Sequence, residues 1–241
     1  MWIRVDADPY LESGRAGCTA GLRGRRSYPV NSRPHIIIGA GGHSKVLLAL
    51  ARASGLSVEG VCAPELADQR GSLWRGVKVL GGDDALDMLD PEQVLLIHGV
   101  GQLPRNFVRQ RIHDRLKAKG FKFATLVHPY TWIDETVVLG EGVQIMAGAI
   151  IQPDVTIGAG TIINTGASVD HDCRVGAHVH VGPGAVLCGN VAVQEEVFIA
   201  TGCTVLPGLT VARGAIVGAG TTLVQDLAKH QCVIGPTARL R

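Results

Sequence analysis

The sequence is short of aromatic residues, of long apolar runs and of excess charge of either sign. Phe, Trp and Tyr make up only 4% of its 241 residues, so a hydrophobic core must be built from aliphatic side chains. No apolar run approaches the roughly 18 residues of a membrane-spanning helix, which predicts no membrane insertion. A formal net charge of +2 provides no basic stripe of the kind that nucleic acid binding requires.

Paired cysteines are also missing. The chain has six cysteines and none belongs to a CxxC pair, which favours reduced thiols in a cytoplasmic protein. Residues 1–33 lack both hydrophobic periodicity and the apolar core of a secretory signal. We predict an unstructured extension over residues 1–33 and a first ordered element at Pro34.

What the chain does have is a repeat of six residues. Sixteen positions at this spacing, from Ile133 to Leu223, are all Ile, Leu or Val, with no insertion. A period of six fits neither a helix nor a simple strand, but it fits a short strand followed by a tight turn. Three such units close a triangular coil of 18 residues, in which residues 18 apart stack about 4.8 Å from each other. We therefore predict a parallel β-helix over residues 127–241, with the periodic residues pointing inward.

The first half of the chain is organised differently. Buried strands alternate with amphipathic helices over residues 34–126, which predicts a small Rossmann-like parallel α/β domain. Its first strand runs into the glycine turn GAGGHSK (39–45), where backbone N–H groups and a helix N-terminus can hold a phosphate or a ribose.

This turn departs from a dinucleotide fingerprint. Ser44 stands where the third glycine would be. The end of the second strand reads Cys62-Ala63-Pro64-Glu65, in which we take the expected acidic residue to be missing. A nucleotide-bearing ligand of another kind is therefore favoured over NAD, and a purely structural turn is the alternative.

Three features together resemble one known family over about residues 34–235: the turn GAGGHSK, a His128-Pro129 hinge, and a hexapeptide repeat that holds Asp170-His171-Asp172. It is the bacterial sugar acyltransferase family that includes sialic acid O-acetyltransferases and N-acetyltransferases of nucleotide-linked 4-amino-sugars. The resemblance implies a left-handed β-helix, acetyl-CoA as co-substrate and no metal. It also implies a homotrimer whose active sites lie between neighbouring β-helices.

The resemblance also implies site residues. His171 would be the catalytic base, and Asp172 would raise its basicity. The contacts to a nucleotide-sugar substrate would be Gly41, Gly42 and His43. Gly101, in the turn HGVG after a later strand, is a further candidate on the acceptor side. The contacts to the CoA arm would be His180, Thr201 and Ala219. Two departures concern the acids that the family commonly carries where this chain has Ala63-Pro64, and the C-terminal VIGPTARLR, which differs from the usual Gly-x-Pro-Ala ending.

Coil arithmetic gives its own position for the histidine. His171 lies two residues after the inward residue Val169, so we expect it at a turn and pointing outward. Gly189, 18 residues further on, stacks over His171, and its N–H could face the oxyanion that develops when a thioester is attacked. An imidazole with a pKa near 6.5 suits proton removal from an attacking amine or hydroxyl at neutral pH. Asp172 or Asp170 could orient the ring and stabilise its cation.

We predict an acetyl-CoA-dependent N-acetyltransferase acting on a nucleotide-linked 4-amino-sugar in bacterial surface glycan biosynthesis. The alternative is an O-acetyltransferase of a sialic-acid-like sugar, since the same base serves both reactions. A rival of another class is a zinc hydratase with three histidine ligands at subunit interfaces, for which His171, His178 and His180 would be the candidates. A third possibility is a nucleotide-sugar binding module without catalysis, against which the retained Asp170-His171-Asp172 under Gly189 argues.

Overall fold

The computed structural model describes residues 33–235. Apart from Arg33, the predicted extension lies outside the described residues, and so does most of the C-terminal segment VIGPTARLR. Between these limits the chain forms an α/β domain followed by a parallel β-helix with three sheets.

The α/β domain is built from five strands and two α-helices. In chain order these are β1 (His35–Ile38), α1 (Gly42–Ala53), β2 (Val58–Cys62), β3 (Leu73–Trp74), β4 (Val77–Gly81), β5 (Leu95–His98) and α2 (Val108–Ala118). The strand order is β3-β4-β2-β1-β5, and β3 alone is antiparallel to its neighbour. Two 3₁₀ helices, Pro64–Gln69 and Asp83–Met88, follow β2 and β4. The α/β prediction is confirmed.

The β-helix is made of two-residue strands separated by tight turns. They are β6 (Leu126–Val127), β7 (Trp132–Ile133), β8 (Val138–Leu139), β9 (Gln144–Ile145), β10 (Ile150–Ile151), β11 (Thr156–Ile157), β12 (Ile162–Ile163), β13 (Ser168–Val169), β14 (Arg174–Val175), β15 (His180–Val181), β16 (Val186–Leu187), β17 (Ala192–Val193), β18 (Phe198–Ile199), β19 (Thr204–Val205), β20 (Thr210–Val211), β21 (Ile216–Val217), β22 (Thr222–Leu223) and β23 (Cys232–Val233).

Every third strand joins the same parallel sheet. Sheet I contains β7, β10, β13, β16, β19 and β22; sheet II contains β8, β11, β14, β17 and β20; sheet III contains β6, β9, β12, β15, β18, β21 and β23. Successive coils pair in a register of 18 residues, as Ile151↔Val169 and Val169↔Leu187 illustrate. In these strands the second residue is the inward one, and Val169 and Leu187 have no exposed surface. Burying such an aliphatic side chain contributes about 1.5–3 kcal/mol. The predicted β-helix is confirmed.

The last coil is shorter than the others. Ile216 pairs with Cys232, a step of 16 residues instead of 18, and Val211 bridges to Leu227 at the same shortened step. The six-residue pattern would place Lys229 inside, where a charge is costly, and Leu227 fills the interior in its place.

The α/β domain covers sheet III of the β-helix. Met146 and Ile162, from the sheet III side, belong to the same buried cluster as Leu47 and Ile97 of the α/β domain. Within residues 33–235, neither α-helix is long and apolar enough to cross a bilayer.

Candidate active site

The glycine turn joins β1 to α1 at the carboxyl edge of the sheet. Gly39 has a φ of +88°, which only glycine adopts readily. Gly41 and Gly42 lack a positive φ, and a Cβ built on either of them would meet no atom within 4 Å. Neither backbone strain nor packing within the chain explains these two glycines. The space beside them lets a ligand approach the N-terminus of α1, which has no side-chain cap and no acidic residue in its first turn.

A second glycine turn, residues 99–101, follows β5 and lies next to the first. Because β1 lies between β2 and β5, the chain leaves the sheet towards opposite sides here, and such a switch point forms a crevice for ligands. Ser44 Oγ lies 2.7 Å from the Gly39 carbonyl and 2.9 Å from the Gly99 carbonyl. A Cβ on Gly99 would come within 2.2 Å of that oxygen, so only glycine fits. The serine that breaks the dinucleotide fingerprint therefore ties the two turns together.

The end of β2 does bring an acidic residue to the first turn. Glu65 Oε1 accepts a hydrogen bond of 3.2 Å from the Ala40 N–H. This corrects the expectation that the acid is missing, because the 3₁₀ helix that begins at Pro64 carries Glu65 back to the turn. A carboxylate in this position can accept hydrogen bonds from ligand hydroxyls.

His43 connects the first turn to the β-helix. Its Nε2 lies 2.8 Å from Gln144 Oε1, while Gln144 Nε2 donates to the His98 carbonyl at 3.0 Å. Burial, aided by the charge of Arg109, lowers the pKa of His43 to about 4, so its ring is neutral at pH 7. Because the Gln144 oxygen accepts, His43 Nε2 carries the proton and Nδ1 has the lone pair. The Cβ and Cγ of His43 lie beside Gly101.

His171 lies at the corner between sheets I and II, and its side chain is 59% exposed. Its Nδ1 is 2.7 Å from Asp172 Oδ2, and its backbone N–H donates to Asp170 Oδ1 at 2.8 Å. The hydrogen bond to Asp172 raises the pKa of His171, and the charge of Asp170 acts in the same direction. With Nδ1–H engaged by the carboxylate, Nε2 is left as the basic nitrogen.

Gly189 lies directly against the imidazole of His171. A Cβ on Gly189 would come within 2.6 Å of both Nε2 and Cε1 of His171. The N–H groups of its neighbours Cys188 and Asn190 donate to backbone carbonyls, whereas the Gly189 N–H has no acceptor among the described residues. An unpartnered donor beside a basic nitrogen is an arrangement that can stabilise an oxyanion.

The predicted CoA contacts lie on the other side of the β-helix. His180 is in β15 of sheet III, is only 9% exposed, and stacks on Phe198 at 4.6 Å. Burial lowers the pKa of His180 to about 4, and its Nδ1 has no hydrogen-bond partner among the described residues. Thr201 and Ala219 are exposed at the corner between sheets III and I. The contact of these three residues with CoA stays a prediction.

The predicted site residues do not meet within one chain. The two glycine turns, His43 and His180 are on the side of sheet III. His171, Asp172 and Gly189 are at the corner between sheets I and II, which is the corner opposite sheet III in a three-sided coil. A site that uses both groups needs a second copy of the chain.

The histidines of the zinc alternative are also apart. His171 is at the corner of sheets I and II, His178 is at the corner of sheets II and III, and His180 is within sheet III. Within the described part of the chain, the group with metal-ligand spacing is a different one, made of His113, Asp114 and His178. The three histidines of the zinc alternative therefore do not form a ligand set within one chain, and such a site would need side chains from more than one copy.

Cysteine chemistry is also disfavoured near the histidine. Cys173 is buried two residues beyond His171, and its Sγ donates to the Cys188 carbonyl at 3.1 Å. Burial raises the pKa of Cys173 to about 11, so it is a neutral thiol at pH 7 and a poor nucleophile.

A cleft of about 390 Å³, a volume typical of ligand sites, opens between residues 102–110 and the β-helix. His178 and Glu196, on its β-helix wall, have positive φ angles of +54° and +64°. A positive φ at this corner position belongs to the repeat, since Asp154, Asp172 and Asn190 have one at equivalent corners. No feature of the sequence indicated this cleft. Its remaining walls include Gln102, Arg105, Phe107, Phe198 and His230.

Two family models match the chain. The PglD N-terminal domain matches residues 36–116, and the bacterial transferase hexapeptide (six repeats) matches residues 136–171. A search of curated proteins found no match.

Solved structures match nearly the whole described chain. A mutant of GDP-perosamine N-acetyltransferase from Caulobacter crescentus, in complex with CoA and GDP-perosamine, is 39% identical with a TM-score of 0.77; the match covers 85% of this chain and 95% of that one. The acetyltransferase domain of PglB from Neisseria gonorrhoeae, in complex with acetyl coenzyme A, is 36% identical with a TM-score of 0.76, over 85% and 97% of the two chains. WeeI from Acinetobacter baumannii shares the fold at 23% identity, with a TM-score of 0.72 over 85% and 98%.

Proposed function

Since the chain belongs to the left-handed β-helix sugar acyltransferase family and is an acetyl-CoA-dependent acetyltransferase, we propose that its acceptor is a nucleotide-linked 4-amino-sugar. The observation that carries the proposal is the open glycine turn, whose two unconstrained glycines leave room for a phosphate-bearing ligand, in a chain 39% identical to GDP-perosamine N-acetyltransferase. The product would serve bacterial surface glycan synthesis. A cytoplasmic location is part of the proposal and agrees with the free cysteines among the described residues.

In the proposed reaction His171 acts as the general base. The sugar amine attacks the thioester carbonyl carbon while His171 Nε2 accepts the amine proton. Asp172 holds Nδ1–H and stabilises the imidazolium, as the short hydrogen bond between the two side chains favours. The Gly189 N–H donates to the oxyanion. When the C–S bond breaks, the imidazolium returns the proton to the CoA thiolate, and no covalent enzyme intermediate is needed.

The acceptor would bind at the crevice between the two glycine turns. Gly41 and Gly42 allow the diphosphate to approach the N-terminus of α1, and His43 of the first turn lies beside Gly101 of the second. Acetyl-CoA would extend along the corner of Thr201 and Ala219 towards His180. The unpartnered Nδ1 of His180 supports a ligand contact there, because buried polar atoms rarely lack a partner.

The active site would be completed by a neighbouring copy in a homotrimer. Its support is the separation of the glycine turns from His171 on opposite sides of the β-helix. Large apolar side chains on the outer faces of sheets I and II also support an interface, because Trp132, Ile150 and Val138 are 49%, 41% and 61% exposed. Sedimentation of the protein as a monomer would contradict this part of the proposal.

The decisive experiment measures CoA thiol release from acetyl-CoA with GDP-, UDP- and dTDP-linked 4-amino-sugars and a free sialic acid. We expect turnover with one amino-sugar, and a loss of about 10²–10⁴-fold in His171→Ala. His128→Ala, a histidine at the hinge, is the control and should retain activity. Turnover with the sialic acid alone would favour O-acetylation. Turnover that survives His171→Ala would show that His171 is not the general base.

A further inference from the structure

We propose that Arg109 is a positioning residue for the acceptor. Its guanidinium fixes the second glycine turn against the β-helix and places a buried positive charge beside the crevice that receives the acceptor diphosphate. This inference rests on the proposed function, which it deepens by assigning a residue that acts through the turn without touching the reacting atoms.

The guanidinium of Arg109 is hydrogen-bonded to the backbone of the second turn. Its side chain lies in the first turn of α2 and is 3% exposed. Nη1 donates to the carbonyls of His98 at 2.8 Å and Val100 at 2.5 Å, the residues that flank Gly99. In return, the Arg109 carbonyl lies 2.8 Å from His98 Nε2, so backbone and side chain of His98 are both fixed.

The same guanidinium reaches across to the β-helix. Arg109 Nη2 lies 3.5 Å from the carbonyl of Gly160, at the corner between sheets II and III. A single side chain therefore contacts the end of β5, the second turn and the β-helix. Movement of Arg109 would shift the second turn relative to His43, whose ring is hydrogen-bonded to Gln144 in β9 of sheet III.

The charge of Arg109 has no carboxylate partner among residues 33–235. Buried charges are normally paired, and three carbonyl oxygens compensate a guanidinium only in part. Burial lowers the pKa of Arg109 to about 9, which still leaves it protonated at neutral pH. An unpaired cation next to a switch-point crevice creates a positive potential that favours an anionic ligand.

The surrounding imidazoles do not add to that charge. Burial lowers the pKa of His43, His98 and His180, and Arg109 lowers each of them further. At neutral pH the positive charge of this group of side chains therefore lies on Arg109 and not on the imidazoles. A diphosphate of a nucleotide is the acceptor group whose charge this arrangement complements.

The test compares Arg109→Met and Arg109→Lys with Arg111→Met, an exposed arginine two residues along the same helix. We expect Arg109→Met to raise the KM for the nucleotide amino-sugar by about 10–100-fold, the range for a lost charged hydrogen-bonding group. The kcat and the KM for acetyl-CoA should change by less than about threefold, and Arg109→Lys should recover part of the loss. A residue that only stabilised the fold would lower the active fraction and leave both KM values unchanged.

Calorimetric binding of GDP, UDP and dTDP to the intact protein separates this inference from the proposed function. If wild type turns over no amino-sugar, the proposed function fails, yet weaker binding of the preferred nucleotide by Arg109→Lys would still support the role of Arg109. Unchanged nucleotide affinity or acceptor KM in Arg109→Lys and Arg109→Met overturns the inference, and so does binding of none of the three nucleotides by wild type. If Arg109→Met does not fold, Arg109→Lys alone decides.

Discussion

The α/β domain and the β-helix hold their candidate site residues by different means. In the β-helix each corner residue lies over the residue 18 positions earlier, so the contact between His171 and Gly189 follows from the backbone repeat. In the α/β domain the two turns are held by side chains from distant parts of the sequence, such as Ser44 between two turns and Arg109 from α2. The first arrangement is local and repeated, and the second depends on single side chains.

Because of this difference, single substitutions should have different effects in the two halves. Neighbouring coils repeat the same parallel pairing, so a substitution at one outward corner leaves the other coils intact. A substitution at Gly99 would move Ser44 and with it both turns, because a Cβ there would overlap the Ser44 hydroxyl. Chemistry on the β-helix should therefore be separable from stability, whereas acceptor binding should depend on the packing of the α/β domain.

The largest expected effect comes from combining defects in the two halves. His171→Ala should remove the base, and Gly42→Leu should fill the open space beside the first turn, so each variant alone should lose activity by about 100-fold or more. In trimers assembled randomly from equal amounts of both variants, about a quarter of interfaces combine an intact histidine with an intact turn. Co-expression should therefore restore roughly a quarter of wild-type turnover. Activity no higher than that of the two separate variants would place the complete site within one chain.

The next effect concerns the β-helix alone. Gly189→Ala puts a Cβ where the His171 ring lies, without backbone strain, since Gly189 has no positive φ. We expect kcat to fall by about 10²-fold, as when an oxyanion donor is disturbed, with little change in the KM for the acceptor. Steady-state kinetics beside the adjacent Cys188→Ala variant would test this. A fall in acceptor binding with normal kcat would remove Gly189 from the chemistry.

A smaller effect is expected in the pH profile. Asp172 raises the pKa of His171, and the base must be neutral to act, so kcat/KM should rise with pH along a limb above the ordinary value of 6.5. Asp172→Asn keeps a residue type that tolerates the φ of +60° at this position but removes the charge. The limb should then move to lower pH, while kcat on the plateau falls by about tenfold or less. An unmoved limb in the variant would assign the titration to another group.

The two halves also differ in how much of their structure could be predicted from the sequence. The 18-residue step predicted the fold of the β-helix and the stacking of Gly189 on His171, because the position of every corner can be counted. The predicted series ends at Leu223. In the last coil Leu227 lies inside, whereas a further step of six would reach Lys229.

In the α/β domain, contacts cannot be found by counting residue positions along a repeat. Its fold was predicted from alternating strands and helices, but the contact of Glu65 with Ala40 spans 25 residues and that of His43 with Gln144 spans 101. The burial of Arg109 was missed, because arginines in amphipathic helices are mostly exposed and nothing in the neighbouring sequence indicated otherwise. Long-range polar contacts of this kind leave no period in the sequence.

The smallest effect tests whether the two halves unfold as one unit. Ile37→Val in β1 and Ile151→Val in β10 remove the same methylene from two fully buried sites. Each should lower the free energy of unfolding by about 1 kcal/mol. Because Met146 and Ile162 are buried in the core of the α/β domain, we expect both variants to shift one common calorimetric transition. If Ile37→Val shifted a transition that Ile151→Val left in place, the α/β domain would unfold separately. The packing of Met146 and Ile162 in the core of that domain would then be too weak to couple acceptor binding to the β-helix.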